Sequence, residues 1–275
     1  MSVSLPTFLS SAAEEFDTAG FDTASCAAHA LHDWQCLAAT LDHTLLRASA
    51  TSNDVIHLCE EAAEFHFACV MVNPYWTALA HSALAGTGVL VGTVVGFPLG
   101  ASLTRSKREE GDALLRLGAR ELDMVMNIGA LKSGDNATVR NDARAMVELA
   151  HDAGARVKIT LEMCLLTLEE KLRASEICVA AGVDSLKTST GFSSGGATVA
   201  DVSLLRGVSG GRCGVKASGG IRTLEAAQAM LEAGADRIGT SSGMAIVRAY
   251  RQLHAEQYGM QSGTAKTTSN GASSI

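Results

Sequence analysis

Four segments of the chain, LLRLGARELDMVMN, LAHDAGARVKITLE, ICVAAGVDSLKTST and MLEAGADRIGTSS, repeat one pattern: an apolar helical face, a glycine, then a short strand-like run. Their glycines, Gly118, Gly154, Gly182 and Gly234, stand 36, 28 and 52 residues apart, the last spacing being about two βα units. A glycine just past a helix supplies the left-handed cap that turns the chain into the next strand. The same rhythm extends upstream and predicts strands at 39–42, 68–72, 89–95, 121–126, 157–161, 185–187, 214–216 and 237–239. Between them, stretches such as SNDVIHLCEEAAEF and TRSKREEGDALLRL repeat apolar residues at three and four, as amphipathic helices do. Eight alternating units predict an α/β chain folded as a (β/α)8 TIM barrel with an N-terminal helical extension. A doubly wound open sheet is the alternative, weakened because no GxGxxG opens a helix.

The predicted organisation is an extension over residues 1–36, a catalytic barrel over 37–256 and a disordered polar tail over 257–275. A helix around CAAHALHDWQ is expected to cover the barrel's lower mouth. The formal net charge of −7, with no lysine or arginine cluster, argues against nucleic acid or an anionic membrane as partner. Seven cysteines, odd in number and without C-x-x-C, read as reduced core residues. Neither a leader nor a spanning segment is evident near Glu14 and Glu15, so a cytoplasmic location is expected.

In a barrel one face of each strand packs on helices and the other fills the interior. In ELDMVMN, Leu122, Met124 and Met126 share one face and leave Asp123, Val125 and Asn127 on the other. The same alternation turns Lys158, Thr160 and Glu162 inward, with Lys158 and Glu162 reading as an ion pair. Lys187 and Lys216 end neighbouring strands about 4.8 Å apart. At roughly 6 Å and an effective dielectric near 20, their repulsion is about 2.8 kcal/mol, about two pKa units below a reference near 10.4. Desolvation by about one further unit would make one of them a nucleophile. A single strand-end lysine more often reaches solvent or pairs with an acid; two on adjacent strands favour chemistry. Asp123 fits either a structural pair or proton transfer, and Asp42 in LDHTLL either caps a turn or faces the pocket.

The loops KASGGIR and GTSSGMA follow the seventh and eighth strands, where barrels build phosphate cradles from amides and a helix N-terminus. Gly219, Gly220, Ser241 and Ser242 are the candidates there, and Thr188, Thr190 and Gly191 in TSTGF supply further donors. No HxH or HExxH occurs, and His57, His66 and His81 read as surface or core residues, so an amine mechanism without metal is favoured.

Taken together, LDHTLL, VNP, VVGFPLG, ELDMVMNIGALKSG, KITLEMCLLTLEE, LKTSTGF, VKASGGIR and IGTSSG resemble the deoxyribose-phosphate aldolases, a class I aldolase family, over residues 41–250. The resemblance implies a TIM-barrel lyase that interconverts 2-deoxy-D-ribose 5-phosphate with D-glyceraldehyde 3-phosphate and acetaldehyde, using no metal or organic cofactor. By the family pattern Lys187 forms the Schiff base, Lys216 lowers its pKa, and Asp123 moves protons through water. The implied partner is a small sugar phosphate, and a homodimer is the assembly common in the family. Three positions depart from the pattern. Met71 replaces a frequent cysteine, Phe192 stands where some members carry a phosphate-binding lysine, and Tyr258 is the only tyrosine near the C-terminal end, where some members place one that assists proton transfer. Two rivals remain at this level: a different sugar-phosphate barrel enzyme such as a transaldolase or an isomerase, and a non-catalytic sugar-phosphate sensor.

Overall fold

A computed structural model of the chain describes residues 22–257. Its strands are β1 (Leu41–Leu45), β2 (Cys69–Val72), β3 (Leu90–Val95), β4 (Glu121–Val125), β5 (Arg156–Thr160), β6 (Ser185–Lys187), β7 (Gly214–Ser218) and β8 (Arg237–Thr240). All are parallel and pair in chain order, and β8 closes on β1 through Leu41 opposite Ile238 and Asp42 opposite Gly239. The helices are α1 (Thr23–Ala30), α2 (Trp34–Ala38), α3 (Ser52–Phe65), α4 (Thr77–Ala83), α5 (Thr104–Arg116), α6 (Ile128–Lys132), α7 (Asn136–Asp152), α8 (Leu168–Ala181), α9 (Val199–Ser209), α10 (Leu224–Glu232) and α11 (Gly243–Gln257). This is a (β/α)8 TIM barrel.

The four repeat glycines turn the chain as expected: Gly118, Gly154, Gly182 and Gly234 all have positive φ. At Gly118, φ is 100°, and a Cβ there would lie 2.3 Å from the His81 ring, so a side chain is excluded twice over. Helix starts are written locally. Thr51 and Thr167 each form a capping box, with Asp54 and Glu170 returning the bond to the cap amide.

The greasy layer lies between strands and helices, where Leu122, Met124, Val157, Ile159, Leu186, Val215 and Ile238 are buried. Inside the barrel the two halves differ. The β2 and β3 side is apolar, with Cys69, Met71 and Val94 packed together. The β4 to β8 side is ionic, with Glu121, Asp123, Lys158, Lys187 and Lys216 all at 2% exposure or less.

Several expectations need correction. β1 begins two residues later than predicted and continues to Leu45, so Asp42 lies near its start, facing the interior, and caps no turn. Asn127 leaves the strand and caps α6, its Oδ1 accepting from the Ala130 amide at 3.0 Å. The predicted N-terminal helix breaks in two because Asp33 caps α2 by accepting from Cys36 N at 2.7 Å. α1 packs on α10, with Thr23 against the Gly234 turn that leads into β8, and α2 packs on α11. Tyr250 of α11 donates to the Leu31 carbonyl at 2.6 Å and ties this segment down. A cavity of about 400 Å³ at the lower mouth is lined by Glu121, Arg156, Lys158, Asp184, Ser185, Gly214, Asp236 and Arg237, and by nothing from α1 or α2. Of the seven free cysteines, Cys59, Cys69, Cys178 and Cys213 are core residues, whereas Cys36 and Cys164 are half-buried and Cys26 is exposed. The expected tail from 258 onward, Tyr258 included, and residues 1–21 lie outside the described residues.

Candidate active site

The register of the ionic half sets the site. Asp123 pairs with Lys158 across β4 and β5, Thr160 with Lys187 across β5 and β6, and Lys187 with Lys216 across β6 and β7. Side chains at paired positions of a pleated sheet point to the same face, so alternation alone aims this row into the barrel. Asp123 is the hub. Its Oδ2 accepts from Lys187 Nζ at 3.0 Å and from Lys216 Nζ at 2.8 Å, while Lys158 Nζ stands 3.3 Å from Oδ1.

One oxygen therefore bridges the two lysines, which places their nitrogens no more than about 6 Å apart, the separation at which repulsion is worth about 2.8 kcal/mol. The two amines are nevertheless driven apart in character. Burial is the main force on Lys187 and pulls its pKa down to about 8; Asp123 opposes this, and the charge of Lys216 adds to it. Lys216 is equally buried, but Asp123 and Asp42 outweigh desolvation and hold its ammonium above the ordinary lysine range. The difference is Asp42, whose carboxylate lies 2.6 Å from Lys216 Nζ. The expectation that repulsion leads and burial assists is thus reversed in order.

Beneath this tier lies a second one. Arg237 binds Asp42 and Glu121, and Lys158 binds Glu121. Burial works against the charge on Asp42, but Lys216, Arg237 and Lys158 hold it far below the usual carboxylate range. The same is true of Asp123, surrounded by Lys158, Lys187 and Lys216. Glu121 and Arg237 were not singled out from sequence, although both signals were present. Glu121 is two residues from Asp123 on the same face, and Arg237 opposes Lys216 in register. The expected pair of Lys158 with Glu162 does not form. Glu162 lies past the end of β5 with φ of 57° and accepts from the Thr190 amide at 3.2 Å and from its hydroxyl, while Lys158 has turned to Glu121.

The loop residues divide. The Thr188 hydroxyl stitches β6 to β7, donating to Ser218 O and accepting from Ser218 N, both at 3.1 Å, and Thr190 is held by Glu162. Their hydroxyls are therefore engaged within the protein. Gly191, Gly219 and Gly220 all have positive φ, and a Cβ on Gly191 would stand 3.7 Å from Gly219 Cα, so these loops touch. Thr240 joins the third loop to them, donating to Ile221 O at 2.7 Å and accepting from Ser242 N at 2.9 Å. Ser241 and Ser242 immediately precede the first turn of α11, whose dipole favours an anion. Phe192, in the same loop as Gly191, is 54% exposed and packs edge-on against Phe97. Asp42 lies with Lys216 in the barrel and not with these loops. Two buried hydroxyls near Lys187, Thr160 Oγ1 and Ser189 Oγ, have no hydrogen-bond partner.

Asp42, Cys69 and Glu121 bring potential metal-ligand atoms within 4.8 Å of one another. The donor set does not fit a metal. Lys216, Lys158 and Arg237 already neutralise both carboxylates, and burial holds the Cys69 thiol far above its ordinary pKa.

A family model described as DeoC/LacD family aldolase matches residues 36–252. The deoxyribose-phosphate aldolase of a Geobacillus species is 53% identical over 211 residues, covering 77% of this chain and 94% of its own. That of Thermococcus gammatolerans is 53% identical over 217 residues, covering 78% and 96%. Among solved structures, the tetrameric deoxyribose phosphate aldolase of Aeropyrum pernix superposes with a TM-score of 0.78 at 34% identity, covering 84% of this chain and 98% of that one.

Proposed function

The chain belongs to the DeoC/LacD family of aldolases, and from that premise we propose that Lys187 is its Schiff-base nucleophile, Lys216 the cation that tunes it and Asp123 the group that moves protons. The reaction is the reversible cleavage of 2-deoxy-D-ribose 5-phosphate to D-glyceraldehyde 3-phosphate and acetaldehyde, a carbon-carbon lyase reaction. One observation carries the assignment of roles: two buried lysines share one carboxylate oxygen, yet only Lys187 has its pKa drawn down to about 8.

Uncharged Lys187 adds to the sugar's aldehyde carbon, and loss of water gives an iminium. Asp123, ionised at rest, accepts the proton that the amine releases, and Lys216, charged at rest, returns one through it. The C3 hydroxyl then gives up its proton through Asp123 to Lys216, restoring the ammonium spent on dehydration, and the C2–C3 bond breaks. Its electron pair flows into the iminium to form an enamine, and C3 becomes the aldehyde of glyceraldehyde 3-phosphate. The enamine takes a proton at carbon, and hydrolysis frees acetaldehyde and Lys187. The phosphate is held by Gly191, Gly219, Gly220, Ser241 and Ser242 at the start of α11, so that binding energy far from the reacting bond aligns the sugar. Thr188 and Thr190 shape these loops, and Asp42 keeps Lys216 charged.

Among the described residues no helix is long and apolar enough to cross a membrane. The free cysteines support a reducing, cytoplasmic setting, and the resemblance to the family is what supports a homodimer as the assembly. The deciding experiment is borohydride reduction in the presence of acetaldehyde followed by peptide mapping. The covalent label is expected on Lys187; an enzyme that stays active and unlabelled overturns the assignment.

A further inference from the structure

Thr160 is fully buried in the barrel interior, on the same face as Lys158, and its Oγ1 has no hydrogen-bond partner in the protein. It is also the β5 residue that stands opposite Lys187 in register, across a strand spacing of about 4.8 Å. A buried hydroxyl without a partner destabilises a fold, and valine, close to threonine in size, carries no such penalty. The hydroxyl is therefore unexplained by packing. The other neighbours of the Lys187 nitrogen are ionic, Asp123 at 3.0 Å with Lys216 and Lys158 beyond it; of the two neutral hydroxyls nearby without a partner, Thr160 and Ser189, Thr160 is the one paired with Lys187 across the sheet.

We infer that Thr160 is a further catalytic residue, whose hydroxyl binds the oxygen of the carbinolamine formed on Lys187 and holds it while that oxygen leaves as water. The inference rests on the Schiff-base role of Lys187. Addition makes the Nζ–C bond, the carbonyl π pair moves to oxygen, and the proton lost by nitrogen is taken up by that oxygen through Asp123. In the second step the C–O bond breaks, oxygen departs with the pair and a proton supplied from Lys216 through Asp123, and the nitrogen lone pair completes the iminium. The oxygen is one bond from the carbon that Lys187 holds. Asp123, a carboxylate crowded by three ammonium groups, is bonded to the nitrogen, and the oxygen is assigned to the Thr160 hydroxyl of the neighbouring strand. A hydroxyl suits both steps because it accepts from the carbinolamine and donates to departing water.

The test is Thr160→Val, with Thr160→Ser as the variant that keeps the hydroxyl. Rapid-quench borohydride trapping with acetaldehyde measures the rate at which Lys187 is labelled, and thermal unfolding measures the fold. The valine variant is expected to label about tenfold more slowly, with a melting temperature equal to the parent or about 2 °C higher, and the serine variant to label at the parental rate. Labelling of Thr160→Val at the parental rate overturns the inference. So does slow labelling accompanied by a lowered melting temperature, because the hydroxyl would then have a structural partner. A parent protein that takes no label defeats the Schiff-base assignment itself, a result distinct from both.

Discussion

At the scale of single residues the site depends on how two lysines bonded to the same oxygen come to differ. Asp42 on Lys216 makes the difference, and Arg237 keeps Asp42 ionised. Below its pKa of about 8, Lys187 loses nucleophile about tenfold per pH unit, so kcat/KM should rise with pH and level off above about 8. In Lys216→Leu the nearby positive charge is gone and Asp123 favours the Lys187 ammonium more strongly. Turnover at pH 7 should fall by about 100-fold or more, and the rising limb of the profile should move to higher pH. Near-normal turnover at pH 7 would remove Lys216 from the mechanism and favour a binding role. Strand alternation made Asp123, Lys187 and Lys216 legible in the sequence. It did not reveal which lysine loses its proton, because Asp42 reaches Lys216 from 174 residues away in the chain, on β1, and is itself held by Arg237 of β8, 195 residues from it. Thr160 was visible as an inward residue, but an unfilled hydroxyl is a property of its neighbours and not of its own position.

At the scale of elements, the three loops that follow β6, β7 and β8 are joined by Thr188, Thr240 and the contact of Gly191 with Gly219. Their positive-φ glycines were readable because turns of that kind leave a compositional mark. The start of β1 was not, since ATLDHTLL carries no punctuation between the end of α2 and the strand. The threonines read as ligand donors from sequence; that their hydroxyls also brace the loops was not legible, because hydroxyl content does not report the internal partners a fold supplies. The proposed phosphate cradle contains no cationic side chain among its named residues, and Phe192 occupies an exposed place beside Gly191. Phe192→Lys should lower KM for the phosphorylated sugar about three- to tenfold at low salt with little change in kcat, and high salt should erase the gain. Steady-state kinetics at two ionic strengths check this, and a salt-independent KM would place the phosphate elsewhere.

At the scale of the molecule, the barrel divides its interior between chemistry and packing. The helix-glycine-strand rhythm was enough to predict eight units in order, whereas the difference between the two halves emerged only once register placed Gly92 beside Met71 and Cys69. A Cβ on Gly92 would lie 2.3 Å from Met71 Sδ and 2.9 Å from Cys69 Sγ. Gly92→Ala should therefore destabilise the fold by about 1–3 kcal/mol through overpacking, read as a lower midpoint in urea unfolding with an unchanged slope. An unchanged midpoint would show that the thioether swings aside without cost.

The ammonium and carboxylate groups around Asp123 are almost wholly shielded from bulk water. Hydrogen delivered to the two-carbon fragment must then come from a sheltered store fixed on one flank of the cavity. If the sugar already carries tritium in one of its two C2 positions, deuterium taken from heavy water should enter from a single face, so the H, D, T methyl group of the small product would be chiral and preserve a stereochemical imprint of how this barrel arranges its charges.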